Sequence, residues 1–337
     1  MKIAYFALTD EGFDTAIRVR DRIGGTIEPK ARFKESVYEN FQKCDALVFV
    51  MATGIVVRTV APLLVGKATD PAVIVIDQKG NFVISLLSGH LGGANRLAKR
   101  IASEIGAIPV ITTATDVQGV ISFDEFAKDN GLVIENLSEL KYISSSVLKG
   151  ERVELISDCP INLSEVPPEV IVTDAPIGDI RVVVSDRTNN KYQVGSEHTL
   201  LLRPKSIFIG IGCKKMVPFE HLENCYLSFL DEYEISKSSV FKIATISIKA
   251  KEEAILKLCE KYGLDLEIVS DEDINNCNHE FEESSFVKSV TGVPSVAQAC
   301  SYIVSGCGDE LTGKVKFPGV TMAACRKKHK QLIFMPE

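Results

Sequence analysis

The sequence predicts an α/β protein: two three-layer α/β domains with mixed sheets, linked by a small β-rich middle region. Three observations predict it. Strand-like and helix-like runs alternate over residues 1–116, as in a sheet covered by helices. From Glu151 to Pro204 short apolar strands follow one another between Pro, Asp and Asn turns. After Pro204 the α/β alternation resumes. The expected domains are residues 1–148, 149–204 and 205–337 of the 337.

The first domain reads in order as "KIAYFAL", the helix "DTAIRVRDRIG", "ALVFVMA", a helical stretch from Ile55, "AVIVID", "FVISLL", a helix after Gly93, and "IPVIT". Its strands are near-continuous Val and Ile runs, which suits burial on both faces. "DQKGN" at 77–81 reads as a hairpin turn, so the sheet is mixed rather than wholly parallel. "SFDEFAKDNG" and "LSELKYISSSVLKG" read as two helices that close the domain. The middle region carries "RVELIS", "EVIVTD", "DIRVVVS" and "TLLLRP"; the last domain runs from "SIFIGIGCKK" through "FKIATIS", "KEEAILKLCEKYG", "DLEIVS" and "SVAQACSYIVSG" to "KVKF" and "GVTMAACRKKHK".

Composition narrows the function classes. With 45% hydrophobic and 25% charged residues the chain can build sizeable cores. The apolar run after Lys2 is too short for a signal peptide or a membrane span, so a cytoplasmic protein without membrane contact is expected. The net charge is −7, and residues 117–180 hold twelve acids against four Lys and Arg. No basic domain suggests a nucleic-acid partner; the basic stretch at 314–330 is a local patch for a small anion. Nine cysteines without a C-x-x-C read as reduced thiols, and the five histidines show no ligand spacing, so neither a protein metal site nor a cofactor is expected.

Candidate site residues fall at turns that follow strands, where ligands sit in open α/β sheets. They are Thr53, Gly54 and Arg58 in "MATGIVVR"; Ser88, Gly89, His90, Gly92, Gly93 and Asn95 in "LLSGHLGGAN"; Thr113 and Asp116 in "TTATD". The last domain adds Gly212, Cys213, Lys214 and Lys215 in "GIGCKK", Thr291 and Ser295 in "TGVPSVAQ", and Arg326 in the tail. Glycines at a strand-to-helix turn let backbone N–H groups approach an anion, and the helix N-terminus adds partial positive charge. Neither a dinucleotide nor a P-loop fingerprint is spelled at 89–93. Ser88 lacks the first glycine of a nucleophile elbow and suits a helix cap better. Cys213 sits before two lysines, where a nucleophilic thiol competes with a small residue filling a tight turn. His90 is the one side chain of its turn that titrates near neutrality.

"MATGIVVRTVAPLL", "DPAVIVID", "SLLSGHLGGANRLA" and "GAIPVITTATD" resemble the N-terminal domain of the cobalamin biosynthesis protein G family, the cobalt-precorrin-5A hydrolases of the anaerobic route. "GIGCKK", "TGVPSVAQA" and "GVTMAACR" resemble its C-terminal domain. The resemblance implies hydrolysis of a δ-lactone on a cobalt-containing tetrapyrrole polycarboxylate, with release of acetaldehyde; the cobalt belongs to the substrate. Such a reaction makes His90 the candidate general base or donor to the lactone oxygen, the 89–93 turn the candidate oxyanion or propionate holder, and Arg58, Lys67, Lys214, Lys215 and Arg326 the candidate carboxylate clamps. A non-catalytic protein that binds and hands on a corrinoid intermediate is the competing reading, and a homodimer is the candidate oligomer. Two positions depart from the family pattern: Gln298 stands where an acid is expected, and Lys214-Lys215-Met216 stand where arginines and a glycine are expected.

Overall fold

The computed structural model describes residues 1–66, 69–188, 198–282 and 295–334. The chain divides into two compact units, residues 1–128 with 147–150, and residues 129–146 with those from 151 onward. Among the described residues no helix is long and apolar enough to cross a membrane.

The first unit is built from β1 (Ile3–Ala7), α1 (Asp10–Ile23), β2 (Thr26–Ile27), α2 (Phe33–Phe41), β3 (Ala46–Val50), α3 (Thr53–Val60), β4 (Ala72–Ile76), β5 (Phe82–Leu87), α4 (Ala94–Ile105), β6 (Ile108–Val110), α5 (Ala114–Gln118) and α6 (Phe123–Asp129). The sheet order is β2-β1-β3-β4-β5-β6. Strands β1, β3 and β4 are buried along their whole length, as their uninterrupted apolar runs require. On one face Tyr5, Val48 and Ile74 pack with Val19, Leu97 and Ile101 of α1 and α4. On the other, Phe6, Leu47 and Phe49 pack with Val37, Phe41, Val56 and Val60 of α2 and α3. Complete burial of a side chain such as Phe49 or Ile74 contributes roughly 2 kcal/mol. The layers are therefore helix, sheet, helix.

The hairpin expected at "DQKGN" forms. Asp77 accepts from the backbone N–H groups of Lys79, Asn81 and Phe82 at 3.0, 2.7 and 2.6 Å, and Gly80 takes φ +74°, a left-handed value that favours glycine. It makes β5 antiparallel to β4, while β6 is parallel to β5. This inversion sets the geography of the unit. Val50 at the end of β3 lies level with Ile76, which lies level with Val83 at the start of β5; Leu87 at the end of β5 lies level with Val73. The turns after β5 and β6 thus leave from one edge of the sheet and the turn after β3 from the other.

The second unit holds two sheets. The middle one comprises β7 (Leu132–Ile134), β8 (Val153–Ser157), β9 (Val170–Val172), β10 (Ile180–Val184) and β11 (His198–Pro204), with the helix α7 (Leu137–Leu148) after β7. Its order is β7-β11-β10-β8-β9, parallel except for β7 against β11. The expected division at residue 148 leaves out β7: its three residues were covered by the first domain, yet Ile134 pairs with Leu202 in this sheet. A three-residue strand between two helical patterns leaves almost no periodic signal.

The last sheet runs β14-β13-β12-β17-β15, with β16 also on β17. Its elements are β12 (Ile207–Cys213), α8 (Phe219–Glu232), β13 (Val240–Ile246), α9 (Glu253–Tyr262), β14 (Asp265–Val269), α10 (Asp271–Asn275), the helix Ala297–Val304, β15 (Asp309–Glu310), β16 (Val315–Phe317) and β17 (Val320–Arg326). Ile207, Ile209 and Ile211 pack with Leu222, Phe229, Ile255 and Leu258 on the α8/α9 face. Ala244 and Ile246 pack with Ala299 and Cys300 on the opposite face. A Cβ on Gly210 would lie 1.8 Å from the Ala297 carbonyl oxygen, so the "GIG" glycine serves a close helix-to-strand approach.

Candidate functional site

His90 is the centre of a polar cluster in the first unit. Strand β5 delivers it through the turn 88–93, in which Ser88 takes φ +56° and Gly93 φ +84°. A Cβ on Gly92 would lie 2.3 Å from Ser88 Cβ, and one on Gly89 2.8 Å from Asn95 Oδ1, so both glycines are required by packing within the turn. The N–H groups of Gly93, Ala94 and Asn95 close the turn on the carbonyls of His90, Ser88 and Gly89. Those of Gly89, His90, Leu91 and Gly92 have no acceptor among the described residues. The expected anion-holding donors are therefore the turn's own, ahead of the helix rather than in its first turn. Lys128 Nζ lies against Gly93, 2.6 Å from where a Cβ would be.

Both imidazole nitrogens of His90 face carboxylates. Nε2 lies 3.0 Å from Asp116 Oδ2 and 3.3 Å from Thr115 Oγ1; Nδ1 lies 3.0 Å from Ser122 Oγ and 3.2 Å from Asp124 Oδ1. Ser122 in turn donates to Asp124. Asp116 Oδ2 also accepts from Asn95 Nδ2 at 2.7 Å, and Lys99 Nζ donates to Asp116 Oδ1 at 3.2 Å. Asn95 is held by Ser85, which donates to its Oδ1 at 2.6 Å, and by Thr113 Oγ1 at 3.1 Å. Asn95 and Lys99 stand four residues apart on α4, hence on one helix face.

The three ionisable side chains are 9 to 12% exposed. Burial alone would push the imidazole toward its neutral form. The hydrogen bond and charge of Asp124, joined by the bond to Asp116, outweigh it and raise the His90 pKa to about 9. Burial likewise penalises the Asp124 carboxylate, but the bonds from His90 and Ser122 dominate and hold its pKa below the ordinary value. At neutral pH His90 is an imidazolium between carboxylates. An imidazole in that form holds a proton to give rather than a lone pair to accept one.

Of the other candidates, Thr113 and Asp116 join this cluster, because β6 ends at the same sheet edge as β5. Thr53, Gly54 and Arg58 do not. They begin α3 at the opposite edge, about 16 Å away along the five residues of β4. There the Arg58 guanidinium lies over Gly54, 3.6 Å from its Cβ position. Lys67 and Thr291 lie outside the described residues. Ser122, Asp124, Thr115 and Lys99 were not among the expected residues. "SFDEF" reads as an ordinary helix start, and only the packing of α6 beside the turn discloses its role.

In the second unit Cys213 ends β12 and Lys214 and Lys215 follow it, both lysines exposed. Burial raises the Cys213 pKa to about 11, against a weaker opposite pull from Lys249. Gly212 is explained by packing, its Cβ position lying 2.7 Å from Thr321 Oγ1. Ser295 is fully buried and its hydroxyl has no partner among the described residues. Arg326 pairs with Ile207 at the other end of β12 from Cys213, and its Nε and Nη2 bind the fully buried Asp186 at 2.7 and 2.6 Å. Its guanidinium ties the strand to Asp186 within the unit. At the other departure from the family pattern, Gln298 Nε2 donates to Glu310 Oε2 at 3.0 Å while its Oε1 accepts from the Glu282 N–H. A carboxylate there would face Glu310 without a proton to offer.

A buried histidine and carboxylate cluster beside a glycine turn can move a proton without by itself fixing the class of enzyme. Family comparison assigns it. Residues 35–116 match the cobalamin synthesis G N-terminal family, 121–204 the cobalamin biosynthesis central region, and 207–325 the cobalamin synthesis G C-terminus. Two curated relatives are named cobalt-precorrin-5A hydrolase. The one from Priestia megaterium is 32% identical over 84% of this chain and 79% of its own length. The one from Salmonella typhimurium is 31% identical over 95% of this chain and 96% of its own. A cobalamin biosynthesis protein G homologue from Sulfolobus solfataricus, solved by crystallography, is 23% identical over 97% of both chains, with a TM-score of 0.44. The chain belongs to the cobalamin synthesis G family.

Proposed function

We propose that this chain is a cobalt-precorrin-5A hydrolase in which His90, charged and held between Asp116 and Asp124, donates the proton required by the departing lactone oxygen. One observation carries the activity: similarity along most of their length to two relatives that bear this name. The competing role, binding and handing on a corrinoid intermediate without turnover, is not favoured by it. The substrate is a cobalt-containing tetrapyrrole polycarboxylate.

Opening a δ-lactone forms a bond from water oxygen to the carbonyl carbon and breaks the acyl C–O bond. The alkoxide must then take a proton. The imidazolium of His90 supplies it, and the neutral imidazole left behind takes the proton that the water releases, which resets the pair. The N–H groups of Gly89 to Gly92 support stabilising the oxyanion or holding a propionate. The freed alcohol then loses its proton, the two-carbon fragment leaves as acetaldehyde, and the electron pair stays on the macrocycle, where it is protonated to give cobalt-precorrin-5B.

The test is acetaldehyde release. Purified chain given cobalt-precorrin-5A is expected to liberate many equivalents of acetaldehyde per protein. Uptake of one equivalent of substrate without any release contradicts the reading.

A further inference from the structure

Asn95 is a ligand candidate in the sequence, yet the fold commits its amide elsewhere. It is the second residue of α4, is 2% exposed, and meets side chains from three other elements. Ser85 on β5 donates to Oδ1 at 2.6 Å. Nδ2 donates to Thr113 Oγ1, after β6, at 3.1 Å and to Asp116 Oδ2, on α5, at 2.7 Å. The contact with Asp116 fixes which end of the amide is which, because an ionised carboxylate only accepts. Oδ1 therefore faces Ser85, and both amide hydrogens are engaged. Gly89 makes room for this arrangement, since a Cβ there would lie 2.8 Å from Oδ1 and 2.9 Å from Nδ2. Asp116 Oδ2 is in turn shared between the amide and His90 Nε2 at 3.0 Å. A buried chain of hydrogen bonds thus runs from Ser85 through Asn95 and Asp116 to His90.

We infer that Asn95 is a positioning residue for proton transfer at His90: its amide, oriented by Ser85, holds the Asp116 carboxylate against Nε2 and does not itself meet the substrate. Turning the amide toward a ligand would leave the Ser85 hydroxyl without its acceptor and Asp116 without a buried donor, and buried polar groups are costly to leave unmatched. Lys99, the other group of α4 that binds Asp116, is 42% exposed on a flexible stem, so it supplies charge more than geometry. The role in turnover rests on the proposed function; the hold on Asp116 rests on the bonds named.

The test begins with NMR of the imidazole N–H protons in the whole, ligand-free chain. The His90 Nε2 proton, buried on Asp116, is expected to give a slowly exchanging downfield signal. In Asn95→Leu that signal is expected to vanish while the Nδ1 proton, held by Ser122 and Asp124, persists. Asn95→Asp separates holding from packing. Protonated, the new acid donates to Asp116 as the amide does; ionised, it sets two carboxylates side by side and drives them apart. The charged groups that bear on this pair are His90 from the turn, Lys99 from α4, and Asp124 and Glu125 from α6; β5 and the stretch after β6 present the uncharged Ser85 and Thr113. The Nε2 proton signal of Asn95→Asp is therefore expected to match the parent at low pH and to be lost reversibly on raising pH, about one unit or more below the parent's loss. With cobalt-precorrin-5A, kcat of Asn95→Asp follows the same profile, Asn95→Leu lowers kcat about tenfold or more, and KM stays within about twofold in both. An Asn95→Asp signal that keeps the parent's pH range overturns the inference, and so do variants that raise KM and leave kcat in place, which would make Asn95 a substrate contact. Should Asn95→Leu fail to fold, Asn95→Asp decides alone. If the signals behave as expected while the parent releases no acetaldehyde, the hold on Asp116 stands and the hydrolase reading falls; parent turnover with unmoved signals in the variants removes the inference alone.

Discussion

At the scale of the residue, the proposed chemistry turns on the charge state of His90. Its partners come from every element packed around the turn: Asp116 and Thr115 on α5, Ser122 and Asp124 at the start of α6, with Lys99 on α4 balancing Asp116. Of these Asp124 matters most, because it bonds Nδ1 directly and is itself held by Ser122. Asp124→Asn keeps the shape and removes the charge. The His90 pKa, read by NMR titration of the imidazole signals, should then fall from about 9 by roughly one unit or more. An unchanged titration means that Asp116 alone holds the proton. The same shift has a consequence for folding. Because the folded pKa lies above the ordinary value, the stabilisation is fully present below about pH 6.5 and drains away as pH rises through about 9.

At the scale of the element, the hairpin after β4 decides which residues meet. Its turn and the mixed sheet are legible in "DQKGN", and so is the burial of β1, β3 and β4 in their unbroken apolar runs. Its consequence for the site is not read from motifs alone: reversing β5 moves the His90 turn to the edge opposite Thr53 and Arg58. Motifs locate turns; register decides which turns share an edge. Strand β7 and the Ser122–Asp124 contact escape for a related reason, since a three-residue strand and a common helix start carry no periodic or compositional mark. Glycines in strand-end motifs can likewise serve packing rather than a ligand. Gly210 is one of these. Gly210→Ala would drive a Cβ into the Ala297 carbonyl, and urea unfolding should show a loss of about 3 kcal/mol. A loss below about 0.5 kcal/mol would mean that the helix Ala297–Val304 shifts freely on its sheet.

At the scale of the whole molecule, charge is distributed by task. The first unit concentrates its buried ionisable groups around His90, and the second unit uses Asp186, Arg326, Ser206 and Arg203 with Glu135 as internal ties. Breaking such a tie costs stability rather than turnover, because it leaves a buried charge unpaired. In sequence a tail residue such as Arg326 belongs to a basic stretch without visible partners, and the fold is what sets Asp186 beside it. The proposed function turns on a charged His90 that gives the proton that opens the lactone. The measurement that tests it most directly is the pH dependence of acetaldehyde release by the parent chain and by His90→Gln, which keeps hydrogen bonding and loses the titratable proton. The parent's kcat is expected to fall as pH rises past about 9, and His90→Gln to be slower by on the order of a hundredfold with that alkaline limb gone. A His90→Gln chain that releases acetaldehyde at the parent rate, with the same limb, would contradict it.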